Sequence, residues 1–242
     1  MRPGPPILGH VPSPEFRYED LLPTGPDDGP THFPRPQDPA DAWAELAAGN
    51  RRFVDGTHLH PNQDAATRNQ LAAGQRPFAL IFGCADSRVA AEIIFDQGLG
   101  DLFIVRTAGH VVDAGVLGSI EYGVQVLDIP LVGILGHDSC GAVAATVEAL
   151  DTGPMPGGYL RDLVERVTPS VLAARQAGLL GTDDIEAEHV RQTGRLLMER
   201  SRVIGDAVAE GRCAIVGLVY DLADGQARIV DSAGDIGVAG GS

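Results

Sequence analysis

An unbroken apolar run of strand length, Phe78-Ala79-Leu80-Ile81-Phe82, stops at Gly83 and delivers Cys84, Asp86 and Arg88 within the next five positions. A thiol, a carboxylate and a guanidinium so close together exceed what a connecting turn needs, so the stretch reads as the edge of an active site. Two further strand-like runs follow at α/β spacing, Leu102 to Arg106 and Leu131 to Leu135, with helix-compatible segments at Val89 to Phe95 and Val116 to Leu127 between them. The alternation predicts a parallel sheet with right-handed crossovers. Cys213 to Tyr220 reads as a fourth strand, and Asp224-Gly225 makes a hairpin to a last strand, Ala227 to Val230, antiparallel to its neighbour. The expected fold is therefore α/β: a mostly parallel central sheet in the order 2-1-3-4, with an antiparallel edge strand and flanking helices.

The third strand is followed by His137-Asp138-Ser139-Cys140. Open α/β sheets bind ligands just past the carboxyl ends of their strands. If the first and third strands are neighbours, Cys84 and His137 fall side by side. Two thiolates and one imidazole are ligands that zinc prefers, and three protein ligands leave a fourth position for chemistry, whereas structural zinc sites usually close with four. A helix is expected to begin at Cys140, capped by Asp138 or Ser139, and amide groups at a helix start favour a thiolate. Arg88, two residues beyond Asp86, has the fork geometry to grip that carboxylate bidentately.

The 242 residues fit one large domain with an additional arm. A formal charge of −15, with all 18 cations arginine, argues against nucleic-acid or anionic-membrane surfaces, which need clustered cations. Three cysteines do not make a disulfide framework, no run approaches membrane-spanning length and no signal peptide is visible, so a cytoplasmic location is expected. Residues 1–38 are dense in Pro and Gly and read as a disordered arm; 39–242 read as the catalytic domain.

Asp38-Pro39 starts a helix carrying Trp43, Leu46 and Ala47, and Arg51-Arg52-Phe53 is expected to continue as a broken second one. Asp64 caps a short helix through Leu71. Past Cys140 the pattern predicts a helix to about Leu150, one over Tyr159 to Gln176 that Pro169 breaks or kinks, and one over Asp184 to Ala209. Cys213 reads as core, His58 and His60 as solvated, and His189, beside Glu186 and Glu188, as a surface residue.

Taken in order, Cys84-Ala85-Asp86-Ser87-Arg88, Arg106-Thr107-Ala108-Gly109, Ile120-Glu121-Tyr122 and His137-x-x-Cys140 resemble a β-class carbonic anhydrase of the bacterial type, in register from about Asp41 to about Asp231. The resemblance implies a zinc lyase that hydrates carbon dioxide reversibly to bicarbonate and a proton through zinc-bound hydroxide. It implies Cys84, His137 and Cys140 as metal ligands, and Asp86 with Arg88 as the catalytic dyad, Asp86 becoming a fourth ligand in a closed state. Ala108, Gly109, Tyr122 and Gly141 would form the substrate pocket, and His110, with an ordinary pKa near ~6.5, is the candidate proton shuttle. A homodimer or homotetramer is implied, because the family commonly builds its pocket between two subunits. Gln97 stands one position off the glutamine that donates to carbon dioxide in the plant-like branch. Two other readings use the same residues: hydrolysis of carbon disulfide or carbonyl sulfide, and a sensor whose cysteines release zinc on oxidation.

Overall fold

The computed structural model describes residues 35–238, so the expected arm lies outside the described residues except for its last four. Five strands form one sheet in the order β2-β1-β3-β4-β5: β1 (Ala79–Cys84), β2 (Leu102–Thr107), β3 (Leu131–His137), β4 (Ala214–Tyr220) and β5 (Ala227–Ala233). The first four run parallel, and β5 pairs antiparallel with β4 after the turn at Gly225, whose φ is +77°. The expected fold class and strand order are therefore those observed.

Every residue of β1, β3 and β4 is buried, as a central parallel sheet covered on both faces requires. Side chains alternate across β1. Ile81 faces a layer with Trp43 and Leu46 of helix α1 (Pro39–Val54) and Ile94 of α3 (Ala91–Ile94). Leu80 and Phe82 face the opposite layer, with Ile120 of α4 (Ala114–Gln125), Val190 and Leu197 of α7 (Thr182–Arg200), and Ile204 of α8 (Arg202–Ala209). A third apolar cluster lies beneath the strand tips, where Cys84 and Cys140 pack with Val143 of α5 (Gly141–Asp151) and Val167 and Val171 of α6 (Tyr159–Gln176). The small α2 (Ala65–Leu71) is capped by Asp64, as expected, through the amide of Thr67 at 2.8 Å.

Four local expectations are corrected. Helix α1 runs unbroken through Arg51-Arg52-Phe53, and Arg52 is held at its end by Asp96 (2.6 Å) and Glu45 (3.1 Å). Helix α6 continues across Pro169, which faces solvent while Val164, Val167, Val171 and Ala174 keep one face buried. The span 184–209 is two helices divided at Ser201, whose extended backbone lets its hydroxyl accept from the Ile204 amide (3.2 Å) and donate to Glu121 (2.6 Å). Neither Asp138 nor Ser139 caps α5: its N-cap is Cys140, with no side-chain cap, while the Asp138 carboxylate accepts from the Leu222 amide at 3.2 Å.

Candidate metal centre

The tip of β1 presents Cys84, the tip of neighbouring β3 presents His137, and Cys140 follows at the start of α5. Ser139, a non-glycine residue at φ +53°, turns the chain between His137 and Cys140. All three side chains are buried, and their two sulfurs and one ring nitrogen lie within 4.8 Å of one another. His137 Nδ1 lies 2.7 Å from the carbonyl oxygen of Asp138, which can only accept, so the proton sits on Nδ1 and the lone pair on Nε2. That Nε2 is buried and makes no hydrogen bond of normal geometry among the described residues. A buried imidazole lone pair facing two sulfurs is a donor set that fits zinc.

The sulfurs differ in their surroundings. The nearby Cys140 thiol, the ring of His137 and the amide of Gly109 (3.3 Å) all favour negative charge on Cys84, so its pKa is lowered despite burial. The same Cys84 contact, with burial, raises Cys140. His137 is shifted up: burial opposes its cation, but Cys84 and the Asp138 carbonyl outweigh it.

Asp86 and Arg88 form the expected pair. Arg88 Nε reaches Oδ1 at 2.9 Å and Nη2 reaches Oδ2 at 2.6 Å, and the Arg88 amide adds a third bond to Oδ1 at 2.9 Å. These bonds hold the carboxyl far below its usual range. Asp86 Oδ2 stands 3.9 Å from His137 Nε2, beside the metal-capable cluster and on its solvent side. Arg106, exposed at the end of β2, ties the loop down by donating to the carbonyls of Cys84 (2.9 Å) and Asp86 (2.6 Å).

The other expected site residues are placed unevenly. Gly109 lies against the cluster in the left-handed region at φ +62°, and a Cβ there would come 2.5 Å from that of Ala142. Ala108 is exposed at the same turn, and Gly141 is exposed with open space where a Cβ would stand. Tyr122 packs on Phe103, near the β2 edge. His110 is wholly buried, with neither ring nitrogen hydrogen-bonded among the described residues and its pKa pushed well down by burial. A ring so deeply buried is poorly placed to hand protons to water, which weighs against the shuttle role expected of His110. Gln97 also turns away, its amide donating to Glu45 and to the Phe95 carbonyl. Cys213 is core as expected, its thiol pushed by burial to about 12.

Two residues behind the cluster were misread or passed over. His189 is buried at 4 % exposure, not on the surface, and Glu186 beside it at 1 %. Glu186 accepts from the His137 amide at 3.2 Å, and burial, opposed by His137, pushes its carboxyl up to about 8. The missed signal is periodicity. Glu186, His189, Val190, Thr193 and Leu197 recur at helical spacing on one stripe, which is buried.

Comparison with known proteins agrees with this geometry. The family profile described as "Carbonic anhydrase" matches residues 79–227. The chain is 59 % identical over 199 residues to "Carbonic anhydrase 2" of Mycobacterium tuberculosis, covering 82 % of this chain and 96 % of that one. Among solved structures, a Coccomyxa β-carbonic anhydrase superposes with a TM-score of 0.62 at 25 % identity, covering 78 % of this chain and 87 % of its own. One of two tetrameric β-carbonic anhydrases from Sordaria macrospora superposes with a TM-score of 0.61 at 24 % identity, covering 78 % and 91 %. With the profile spanning more than half of its length and its cysteines and histidine gathered at the strand tips, the chain belongs to the carbonic anhydrase family and is an enzyme of the β class.

Proposed function

We propose that the protein hydrates carbon dioxide reversibly to bicarbonate and a proton at the Cys84–His137–Cys140 cluster, with Asp86 and Arg88 as the working dyad. The observation that carries this reading is the Nε2 of His137, buried among two sulfurs without a normal hydrogen bond among the described residues and next to a carboxylate gripped at both oxygens. The three side chains would hold zinc, which when bound supplies the positive charge that makes a water nucleophilic near neutral pH.

Asp86 accepts a hydrogen bond from the attacking water, and Arg88 fixes the direction of the carboxylate lone pairs. Because Arg88 holds the Asp86 pKa far below the ordinary range, the group stays an acceptor in acid as well as at neutrality. The oxygen of water forms the new bond to carbon, and the displaced proton leaves past Asp86, the acid of the cluster that reaches solvent. In a closed state Asp86 would turn onto the cluster as a fourth ligand, and its pairing with Arg88 opposes that movement. Gly109 keeps the inner wall close, and Ala108 and Gly141, both exposed, would line the way in for a small apolar substrate.

Assembly into dimers or tetramers is part of the reading. It is supported by the outer edge of β2, unpaired among the described residues, and by Tyr159 and Leu160, 94 % and 64 % exposed at the head of α6. Such a partner would bring its surface to the β2 edge, where Tyr122 packs on Phe103. A cytosolic setting is favoured by three cysteines that are all free; among the described residues no helix is long and apolar enough to cross a membrane.

Stopped-flow hydration of carbon dioxide by the zinc-loaded protein tests the proposal. Wild type is expected to turn over rapidly, Asp86→Asn to lose about 10²- to 10⁴-fold in kcat with zinc retained, and Cys84→Ser to lose zinc and activity together. Stoichiometric zinc without hydration would overturn the proposal.

A further inference from the structure

Behind the metal-capable cluster lies a hydrogen-bonded line that ends on one of its sulfurs. Ser170 of α6 and His189 of α7 are 2 % and 4 % exposed, and Ser170 Oγ meets His189 Nδ1 at 2.9 Å. His189 Nε2 meets the carbonyl oxygen of Gly109 at 2.9 Å. The amide of Gly109 in turn donates to Cys84 Sγ at 3.3 Å.

The direction of every bond follows from its ends. The Gly109 carbonyl can only accept, so His189 carries its proton on Nε2. Burial keeps the ring neutral, so Nδ1 is the acceptor and the Ser170 hydroxyl must donate to it. Gly109 and His110 both have positive φ, +62° and +38°, the second unusual for a residue with a side chain. A turn of this kind persists where its surroundings fix it. His189 does so by holding the carbonyl of Gly109, while its ring packs on His110 with centroids 4.2 Å apart. The result aims the Gly109 amide at sulfur.

We propose that His189, oriented by Ser170, is a positioning residue that locks the Gly109 turn, so that its amide donates to the Cys84 thiolate and tunes that sulfur as a metal ligand. The inference rests on the zinc-centre reading above. A hydrogen bond to a coordinating thiolate withdraws electron density from it, and outer partners of this kind orient metal ligands and set their basicity. Helix α7 thereby reaches the metal centre through a main-chain turn without touching substrate.

The test uses the full-length protein loaded with zinc, or with cobalt as a spectroscopic stand-in. His189→Leu keeps apolar bulk but leaves the Gly109 carbonyl unbonded, and His189→Gln retains a donor at the end of the side chain. For His189→Leu, zinc affinity by chelator competition is expected to fall by about 10- to 100-fold. Its thiolate-to-cobalt charge-transfer band is expected to move to longer wavelength, because a sulfur without its N–H donor gives up charge more easily. Packing loss alone does not move that band, and His189→Gln is expected to restore both readings toward wild type. Zinc affinity within twofold of wild type and an unmoved band in His189→Leu would overturn the proposal. Should His189→Leu not fold, Ser170→Ala decides it: a band moved in the same direction supports the proposal and an unmoved band overturns it. Wild-type protein that takes up no metal overturns the centre itself, a result distinguishable from normal wild-type uptake with an indifferent His189→Leu.

Discussion

At the scale of single residues, position relative to the strand tips decides what each charged group does. Asp86 and Asp96 are both held by arginine, yet only Asp86 stands beside the cluster; Asp96 closes the loop after α1. Arg88→Lys removes the fork while keeping the charge, so a lysine at 88 grips one oxygen at most. The expected outcome is zinc content as in wild type with kcat reduced by about 10-fold or more, read by stopped-flow hydration. For Asp96, burial raises the pKa, but the amides of Leu59 and His60 and the guanidinium of Arg52 outweigh it and the net shift is downward. A carboxyl with a depressed folded-state pKa adds stability above its unfolded value, near ~3.9, and loses it as pH falls through the folded value. Asp96→Asn is therefore expected to lower stability at neutral pH and to flatten its decline in acid, as urea titrations from pH 7 to pH 3 would show. An unchanged acid slope would contradict this account of Asp96.

At the scale of elements, the close seat of α7 on β3 and β4 explains both what the sequence reveals and what it hides. A Cβ added at Gly136 would come 2.5 Å from Glu186 Oε1 and 2.6 Å from Val190 Cγ2. Gly136→Ala is thus expected to cost about 1–3 kcal/mol by overpacking and, by shifting Glu186 off the His137 amide, to weaken zinc binding. Chemical denaturation and chelator competition on one sample read both effects. Exposed Pro169 lacks the amide that α6 would otherwise bond, and Pro169→Ala is expected to stabilise the protein in the same denaturation assay.

The strands were legible because β1, β3 and β4 are near-continuous apolar runs, and their order follows from chemistry collected at neighbouring tips. Cys84, Asp86, Arg88, His137 and Cys140 were legible because each lies within a few residues of such a tip. His189 and Glu186 were not, because their acidic neighbours resemble a solvated face and their partner is a backbone carbonyl eighty residues away in the chain. The division at Ser201 was obscured for a related reason, since helix-forming residues flank a cap whose acceptor role appears only once Ile204 and Glu121 are in place. Tyr122 is a third kind: it packs on Phe103 near the β2 edge, and the pocket role proposed for it would rest on a partner's surface.

For the whole molecule, two strand tips and a helix start gather the three donor side chains, so a zinc ion held there as proposed would stabilise the fold. A ligand bound only by the folded state adds stability by mass action, so removing zinc with a chelator is expected to lower Tm, and adding it back to restore Tm. The central claim is that two sulfurs and one ring nitrogen hold the ion and leave one position for solvent. X-ray absorption at the zinc edge of the purified protein near neutral pH measures this directly. The account predicts two sulfur scatterers at about 2.3 Å, one imidazole nitrogen at about 2.0–2.1 Å and one further light atom, with one sulfur lost in Cys140→Ser. A shell with fewer than two sulfurs, or one unchanged in Cys140→Ser, would contradict it.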